Sequence, residues 1–174
     1  FYVGNGSGGD VSAPYSINLV QGLVNAGVQL DSTVLAAYES WCTASVNDPD
    51  PGFWGHWPRY YAEMPVKQDW VQAAAKRCQT AVVVIGRSAG EDRENTLKKG
   101  SFYLTNKEKA LLDAVTTAFQ KVVLVLNIGS IMDFAEIHAY GDKISAILLA
   151  WQLGMESGNS VADVLTGQVN PSGR

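Results

Sequence analysis

The sequence has 174 residues, with a hydrophobic fraction of 47% and a charged fraction of 17%, which is the balance of one globular domain. The formal net charge of −4 offers no basic surface, so we expect no nucleic-acid partner. No apolar run reaches the roughly 18 residues that a membrane-spanning helix needs. No signal peptide opens the chain, which favours a cytoplasmic location, but a start at Phe1 rather than Met leaves a preceding segment open.

The first motif in chain order is the glycine-rich stretch Gly4-Asn-Gly-Ser-Gly-Gly9, which matches the dinucleotide-binding pattern G-x-G-x-x-G. That pattern needs its third glycine in the first turn of a helix, where the phosphates bind. Because proline is tolerated only in a first helical turn, we expect the next helix to begin near Ala13 or Pro14, with Ser12 as its cap. Gly9 then lies outside the helix, so a connector is favoured over a nucleotide site.

Residues 46–65 predict a long irregular excursion, because prolines recur there among aromatic residues. His56 and Trp57 in this excursion are candidates for contact with a ligand, and a packed loop is an equal alternative. Cys42 and Cys78 show no metal-ligand spacing, and we expect both to be buried free thiols on helices. No metal and no cofactor are expected.

Three unbroken apolar runs, Ala81–Ile85, Val122–Leu126 and Ile144–Ala150, predict strands buried on both faces, as in a parallel sheet. Helix-like stretches alternate with them, at residues 66–78, 105–119 and 158–165. Thr105 and Glu108 form a capping-box pattern, and Gly167 marks a helix end. The alternation predicts an α/β domain with a mostly parallel sheet between helices, a three-layer α/β/α architecture.

The segment from Gly86 to Thr105 follows the first predicted strand, and its first ten residues contain three carboxylates and two arginines. Ligands of open α/β sheets bind at the carboxyl ends of the strands, so this segment is the first candidate site. Asp133 and Glu156 also follow predicted strands, but a turn-capping role for Asp133 and a structural role for Glu156 are favoured. A solvated loop with internal ion pairs is the alternative interpretation of residues 86–105.

The stretches VVVIGRSAGEDREN, GSFYLTNKEKALLDAV, VVLVLNIGSIMDF and AILLAWQLGMESGNSVADVLTG occur in this order, and they are followed by NPSGR. Together they closely resemble the C-terminal-type α/β sandwich domain of glycoside hydrolase family 3. GNGSGGDV and FWGHWP are similar to the subgroup in which this domain precedes the barrel. The resemblance implies that residues 1–174 are one sandwich domain of a multidomain enzyme, with the TIM barrel domain absent from this chain.

The resemblance also implies a retaining β-glycosidase, β-glucosidase-like, acting on β-linked oligosaccharides or aryl and alkyl glycosides. The family's nucleophile is an aspartate of the barrel, so the fragment alone is expected to be inactive. By motif position Glu91 is the expected general acid/base, with Asp92 and Glu94 as rivals. Arg87, His56 and Trp57 are further candidates for the substrate site, and Arg87 is also a candidate anchor at the strand end.

Two other classes of function stay open from the residues. One is a carbohydrate-binding or scaffolding module without a proton-transfer role, and the other is a nucleotide-binding domain that uses the glycine-rich stretch. The oligomeric state is not indicated by any pattern in the sequence.

Overall fold

A computed structural model gives the structure of the chain and describes residues 13–44, 58–91 and 94–173. Within these residues, helices and strands alternate as the sequence predicts. The helices are α1 (Leu19–Asn25), α2 (Ser32–Thr43), α3 (Gln68–Arg77), α4 (Asn106–Ala118), α5 (Ala135–His138) and α6 (Ser157–Leu165). The strands are β1 (Thr80–Arg87), β2 (Lys121–Ile128) and β3 (Ala146–Leu149), and a 3-10 turn covers Gly141–Lys143.

The three strands form one parallel sheet in the order β1-β2-β3, which confirms the three apolar runs as strands. Val83, Leu124 and Ile147 are aligned across the sheet. Because all three strands run in one direction, their carboxyl ends meet at one edge, which we call the carboxyl edge.

Helices cover both faces of the sheet, which confirms the three-layer α/β/α architecture. The larger apolar core lies on the face that α3 and α4 cover, where Leu112 and Leu124 are fully buried. The smaller core lies on the other face, where Val125 of β2 packs with Val161 of α6. There α1 and α6 approach so closely that a Cβ on Gly22 would lie 2.1 Å from the carbonyl oxygen of Gly158.

The expected burial of every strand on both faces is wrong for β1 and β3. Val82 and Val84 of β1 are 39% and 41% exposed, and Ile147 and Leu149 of β3 are 42% and 38% exposed. The reason is position: among the described residues, β1 and β3 are the outer strands, and each pairs only with β2. The central strand β2 has fully buried positions on both of its faces, whereas the buried positions of β1, such as Val83 and Ile85, lie on one face only.

The capping pattern at the start of α4 is confirmed. The backbone N–H of Glu108 donates to Thr105 Oγ1 at 3.1 Å, and the backbone N–H of Thr105 donates to Glu108 Oε2 at 2.7 Å. Gly167 follows α6 with a φ of +76°, a conformation that favours glycine after a helix.

The expected helix start near Ala13 or Pro14 is wrong, because α1 begins at Leu19. Asn18 caps it through a reciprocal pair with Gln21, in which both hydrogen bonds are 2.9 Å. Just before the cap, Ile17 exchanges backbone hydrogen bonds with the segment that opens α6. Ser12 and Gly4–Gly9 lie outside the described residues. The later start separates the glycines further from a helix N-terminus and weakens the nucleotide-binding interpretation.

Both cysteines are free thiols, as expected, but their expected burial is wrong. Cys42 is exposed, because α2 contributes no buried residue to the core, and Cys78 is half-buried at the end of α3. None of the helices in the described ranges is long and apolar enough to cross a lipid bilayer.

Candidate active site at the carboxyl edge

Segments from all three strand ends meet at the carboxyl edge. Residues 88–105 follow β1, residues 129–134 follow β2, and residues 150–156 follow β3. Gly129 lies at the centre of this meeting, because a Cβ there would lie 2.6 Å from the Ala89 Cβ and 2.4 Å from Gln152 Oε1. The edge is therefore packed beneath the segment that carries the predicted acid/base.

Glu91, the predicted general acid/base, is exposed in a turn four residues after the end of β1. Its position satisfies two geometric requirements of the prediction, since the residue is at the carboxyl edge and is not buried in the sandwich. Asp92, one rival, lies outside the described residues, and Glu94, the other, is exposed. The acid/base role of Glu91 stays a prediction at this point.

Beyond Glu91, the segment returns to the sheet through Asn95. Ser130 Oγ donates to Asn95 Oδ1 at 2.7 Å, and Asn95 Nδ2 donates to the carbonyl of Ile131. These bonds attach the segment to the residues that follow β2. Two residues near Glu91 thus attach its turn to the segment that follows β2. Ala89 lies against Gly129, and Asn95 is hydrogen-bonded to Ser130 and Ile131.

Arg87, the last residue of β1, is 2% exposed. Its guanidinium forms a bidentate ion pair with Glu108, in which Nη1 lies 2.6 Å from Oε1 and Nη2 lies 2.8 Å from Oε2. Nε also donates to the carbonyl of Ser101 at 3.2 Å, and the guanidinium carbon lies 5.6 Å from the centre of the Tyr60 ring. These contacts make Arg87 an anchor at the end of β1. Direct contact of Arg87 with substrate stays a prediction.

Residues 58–60 brace the same strand end. The backbone N–H of Ser88 donates to the carbonyl of Arg59 at 2.7 Å, and Ser88 Oγ donates to the carbonyl of Pro58 at 2.6 Å. Gly100 has a φ of +80° and lies against the Tyr60 ring, where a Cβ would meet a ring carbon at 2.1 Å. His56 and Trp57, the predicted ligand contacts just before this brace, lie outside the described residues.

Trp151, at the end of β3, is a feature of the edge that the sequence did not indicate. It is 44% exposed and has a φ of +53°, which is rare for a bulky side chain. Asn127 Nδ2 donates to its carbonyl at 2.6 Å, which holds this conformation from β2. A tryptophan after an apolar run gives no sequence signal of a positive φ. The conformation of Trp151 is therefore visible only in the structure.

Other carboxylates singled out by the sequence have structural contacts. Asp133 Oδ1 accepts from the backbone N–H of Ala135 at 3.0 Å, so its capping role is confirmed. Glu156 accepts from Tyr15 Oη at 2.8 Å and from Asn159 Nδ2 at 2.6 Å, which confirms a structural role.

Glu63 is a partly buried carboxylate that no sequence pattern indicated. It accepts from Tyr38 Oη at 2.9 Å, and burial raises its pKa above the usual range, with a smaller contribution from the charge of Glu108. Across the described ranges, no three His, Cys, Asp or Glu side chains are grouped as a metal site.

The fold and its edge define an α/β/α sandwich domain that presents a carboxylate-bearing turn at the carboxyl ends of its strands. A model of the glycosyl hydrolase family 3 C-terminal domain matches residues 1–174. The chain therefore belongs to this family, as its motifs indicate.

Named relatives agree with the family assignment. The chain is 39% identical over 171 residues to a beta-glucosidase of Ruminococcus albus, a match that covers 98% of this chain and 18% of that protein. It is 31% identical over 195 residues to beta-glucosidase A of Butyrivibrio fibrisolvens, covering 98% of this chain and 23% of that protein. The chain thus spans about a fifth of the length of these relatives.

Solved structures agree as well. A beta-glucosidase from Paenibacillus barengoltzii superposes with a TM-score of 0.90 at 35% identity, covering 97% of this chain and 18% of that one. Beta-glucosidase 3B from Thermotoga neapolitana, in complex with glucose, superposes with a TM-score of 0.84 at 31% identity, covering 99% and 24% respectively. The chain thus shares the fold of one part of each of these proteins.

Proposed function

We propose that this domain supplies the general acid/base, Glu91, of a retaining β-glycosidase that removes terminal β-linked sugars. The nucleophile belongs, in this proposal, to a barrel domain of the same polypeptide. The observation that carries the proposal is the exposed position of Glu91 on a braced turn at the carboxyl edge. The β-glucosidase names of the relatives support the reaction class.

The chemistry needs two carboxyl groups about 5–5.5 Å apart on opposite sides of the glycosidic bond. One attacks the anomeric carbon and forms a glycosyl–enzyme intermediate. The other protonates the leaving oxygen and then removes a proton from the water that hydrolyses the intermediate. An exposed carboxylate suits the second role, because the leaving oxygen and then a water can reach it in turn.

The test is Glu91→Gln in the polypeptide that joins this domain to its barrel. We expect kcat/KM to fall by about 10²–10⁴-fold for an alkyl β-glucoside, which needs protonation of its leaving group. For a dinitrophenyl β-glucoside we expect less than about a tenfold loss, since this leaving group departs without help. The ratio kcat/KM reports steps up to the first irreversible one, so it isolates the acid role from the later base role.

Glu94→Gln is the matched control, because Glu94 is an exposed carboxylate of the same segment. It should keep the wild-type dependence on the leaving group. Equal losses on both substrates in the Glu91 variant would contradict the acid role, and a selective loss in the Glu94 variant instead would move the role to Glu94. An unchanged rate in the Glu91 variant would favour a non-catalytic carbohydrate-binding module.

A further inference from the structure

The segment that carries Glu91 has both of its ends attached to one side chain. Arg87 begins this segment as the last residue of β1. Its guanidinium reaches the far end of the segment, where it donates to the carbonyl of Ser101 at 3.2 Å and to both oxygens of Glu108. The side chain therefore spans the base of the loop that its own backbone opens.

Glu108, in the first turn of α4, binds both Arg87 and the cap of its own helix. Its Oε2 accepts from Arg87 and also from the backbone N–H of Thr105, which is the cap of α4. One carboxylate thus joins the end of β1 to the first turn of α4. The start of the helix and the end of the strand are therefore held in one geometry.

Both charges of this ion pair are buried. The side chains of Arg87 and Glu108 are 2% and 5% exposed. A buried ion pair is often no more stabilising than a packed apolar pair of the same volume, because both charges lose their hydration. A bidentate pair does fix distance and direction, since the planar guanidinium matches a carboxylate in one arrangement.

We infer that Arg87 and Glu108 are positioning residues that fix the base of the loop and thereby the place of the Glu91 carboxyl group against the leaving oxygen. The inference rests on the proposed function of Glu91. Proton transfer requires donor and acceptor within hydrogen-bond reach, and a displacement of about 1 Å can lower a rate by about 10²-fold. Loosening the base of the loop should therefore weaken protonation of the leaving group more than it weakens sugar binding.

The experiment uses Arg87→Lys in the polypeptide that contains the barrel, because lysine keeps the charge but cannot reproduce the bidentate contact and the third bond to Ser101. We expect kcat/KM for an alkyl β-glucoside to fall at least tenfold, with less than about a threefold change for a dinitrophenyl β-glucoside. Lys109→Gln is the matched control, since Lys109 lies next to Glu108 on α4, and the substitution breaks its ion pair with Glu136 of α5 without touching the loop. The control should keep the wild-type ratio between the two substrates.

Two further variants keep the test decisive if Arg87→Lys does not fold. Glu108→Gln retains a capping-box residue but removes the negative charge, and the double variant Arg87→Met with Glu108→Leu replaces the buried pair by apolar side chains. Each variant that melts cooperatively should show the same selective loss on the alkyl glucoside. Parallel losses on both substrates, or a wild-type ratio in the double variant, would overturn the positioning role.

Failure of this inference can be told from failure of the proposed function. Glu91→Gln is measured with the same two substrates. A selective loss in the Glu91 variant together with a wild-type ratio in the Arg87 variants overturns positioning alone. No selective loss in the Glu91 variant overturns the acid role, and the positioning role with it.

Discussion

Gly129→Ala should impair catalysis through the position of the loop above it. The new Cβ would lie 2.6 Å from the Ala89 Cβ, whereas an ordinary contact is 3.4–4 Å. The amide of Gln152, the other near neighbour, can rotate away. Ala89 cannot, because its Cβ is attached directly to the main chain. The backbone two residues before Glu91 must therefore move by about 1 Å, as overpacking forces neighbouring backbone to shift.

The expected magnitude follows from this displacement. Overpacking of a well-packed position lowers the free energy of unfolding by about 1–3 kcal/mol. Misplacement of a proton donor by about 1 Å lowers kcat/KM for an alkyl β-glucoside by about 10–100-fold. For a dinitrophenyl β-glucoside the loss should be several-fold smaller, because that substrate does not need the acid. The assays are a thermal melt and the rates on both substrates at a temperature where the variant is folded.

Substitutions at two other glycines distinguish an effect on the position of Glu91 from an effect on stability alone. Gly22→Ala places a Cβ 2.1 Å from the carbonyl oxygen of Gly158, so it should destabilise the contact of α1 with α6 and leave the ratio of the two rates unchanged. A Cβ on Gly173 would have no atom within 4 Å, so Gly173→Ala should change neither stability nor the two rates. A folded Gly129 variant with the wild-type ratio would refute the link between this packing contact and the acid.

Two further predictions concern stability. Leu124→Ala should lower the free energy of unfolding by about 2–5 kcal/mol, because it leaves a cavity in the core. Leu149→Ala on the neighbouring strand should lower it by only about 1 kcal/mol, because water can fill the space that the side chain leaves. Equal losses in urea melts would contradict the assigned burial. Asp31 pairs with Arg77 at 2.7 Å, which lowers the pKa of the Asp31 carboxyl group. Asp31→Asn should therefore lower the free energy of unfolding by about 0.2–1 kcal/mol near pH 7, while it keeps the cap of α2. A lowered pKa gives stability that is present above the unfolded value of about 3.9 and is lost as the pH falls through the folded value. The difference in stability between wild type and variant should therefore shrink as the pH is lowered below about 4. A difference that does not change with pH would contradict the pairing.

The sequence predicted the elements that depend on local patterns. The apolar runs became the three strands, and Thr105 and Glu108 formed their capping box, because both signals act over a few neighbouring residues. The start of α1 was missed for the same kind of reason. Pro14 suggested a first turn, but Asn18 and Gln21 carried the stronger local signal, a reciprocal cap.

Contacts between distant segments could not be predicted in this way. The carboxylate of Glu108 was predicted as a cap, and nothing in its neighbourhood indicates that it also binds Arg87, 21 residues away. Uneven burial of the strands was equally hidden, because the composition of β1 and β3 is as apolar as that of β2. Their exposure depends on which strand is central, and the order of strands is a property of the whole sheet.

The candidate site consists of a buried ion pair, Arg87 with Glu108, and an exposed carboxylate, Glu91, and the chemistry requires both. A general acid must change its protonation state in every cycle, so Glu91 has to meet water and substrate in turn and cannot be buried permanently. Its position must nevertheless be reproducible to a fraction of an ångström, because proton transfer depends steeply on distance. Arg87 and Glu108 are buried where no protonation change is needed, and Glu91 is exposed where one is. Distance along one short loop thus separates the group that titrates from the charges that hold it in place.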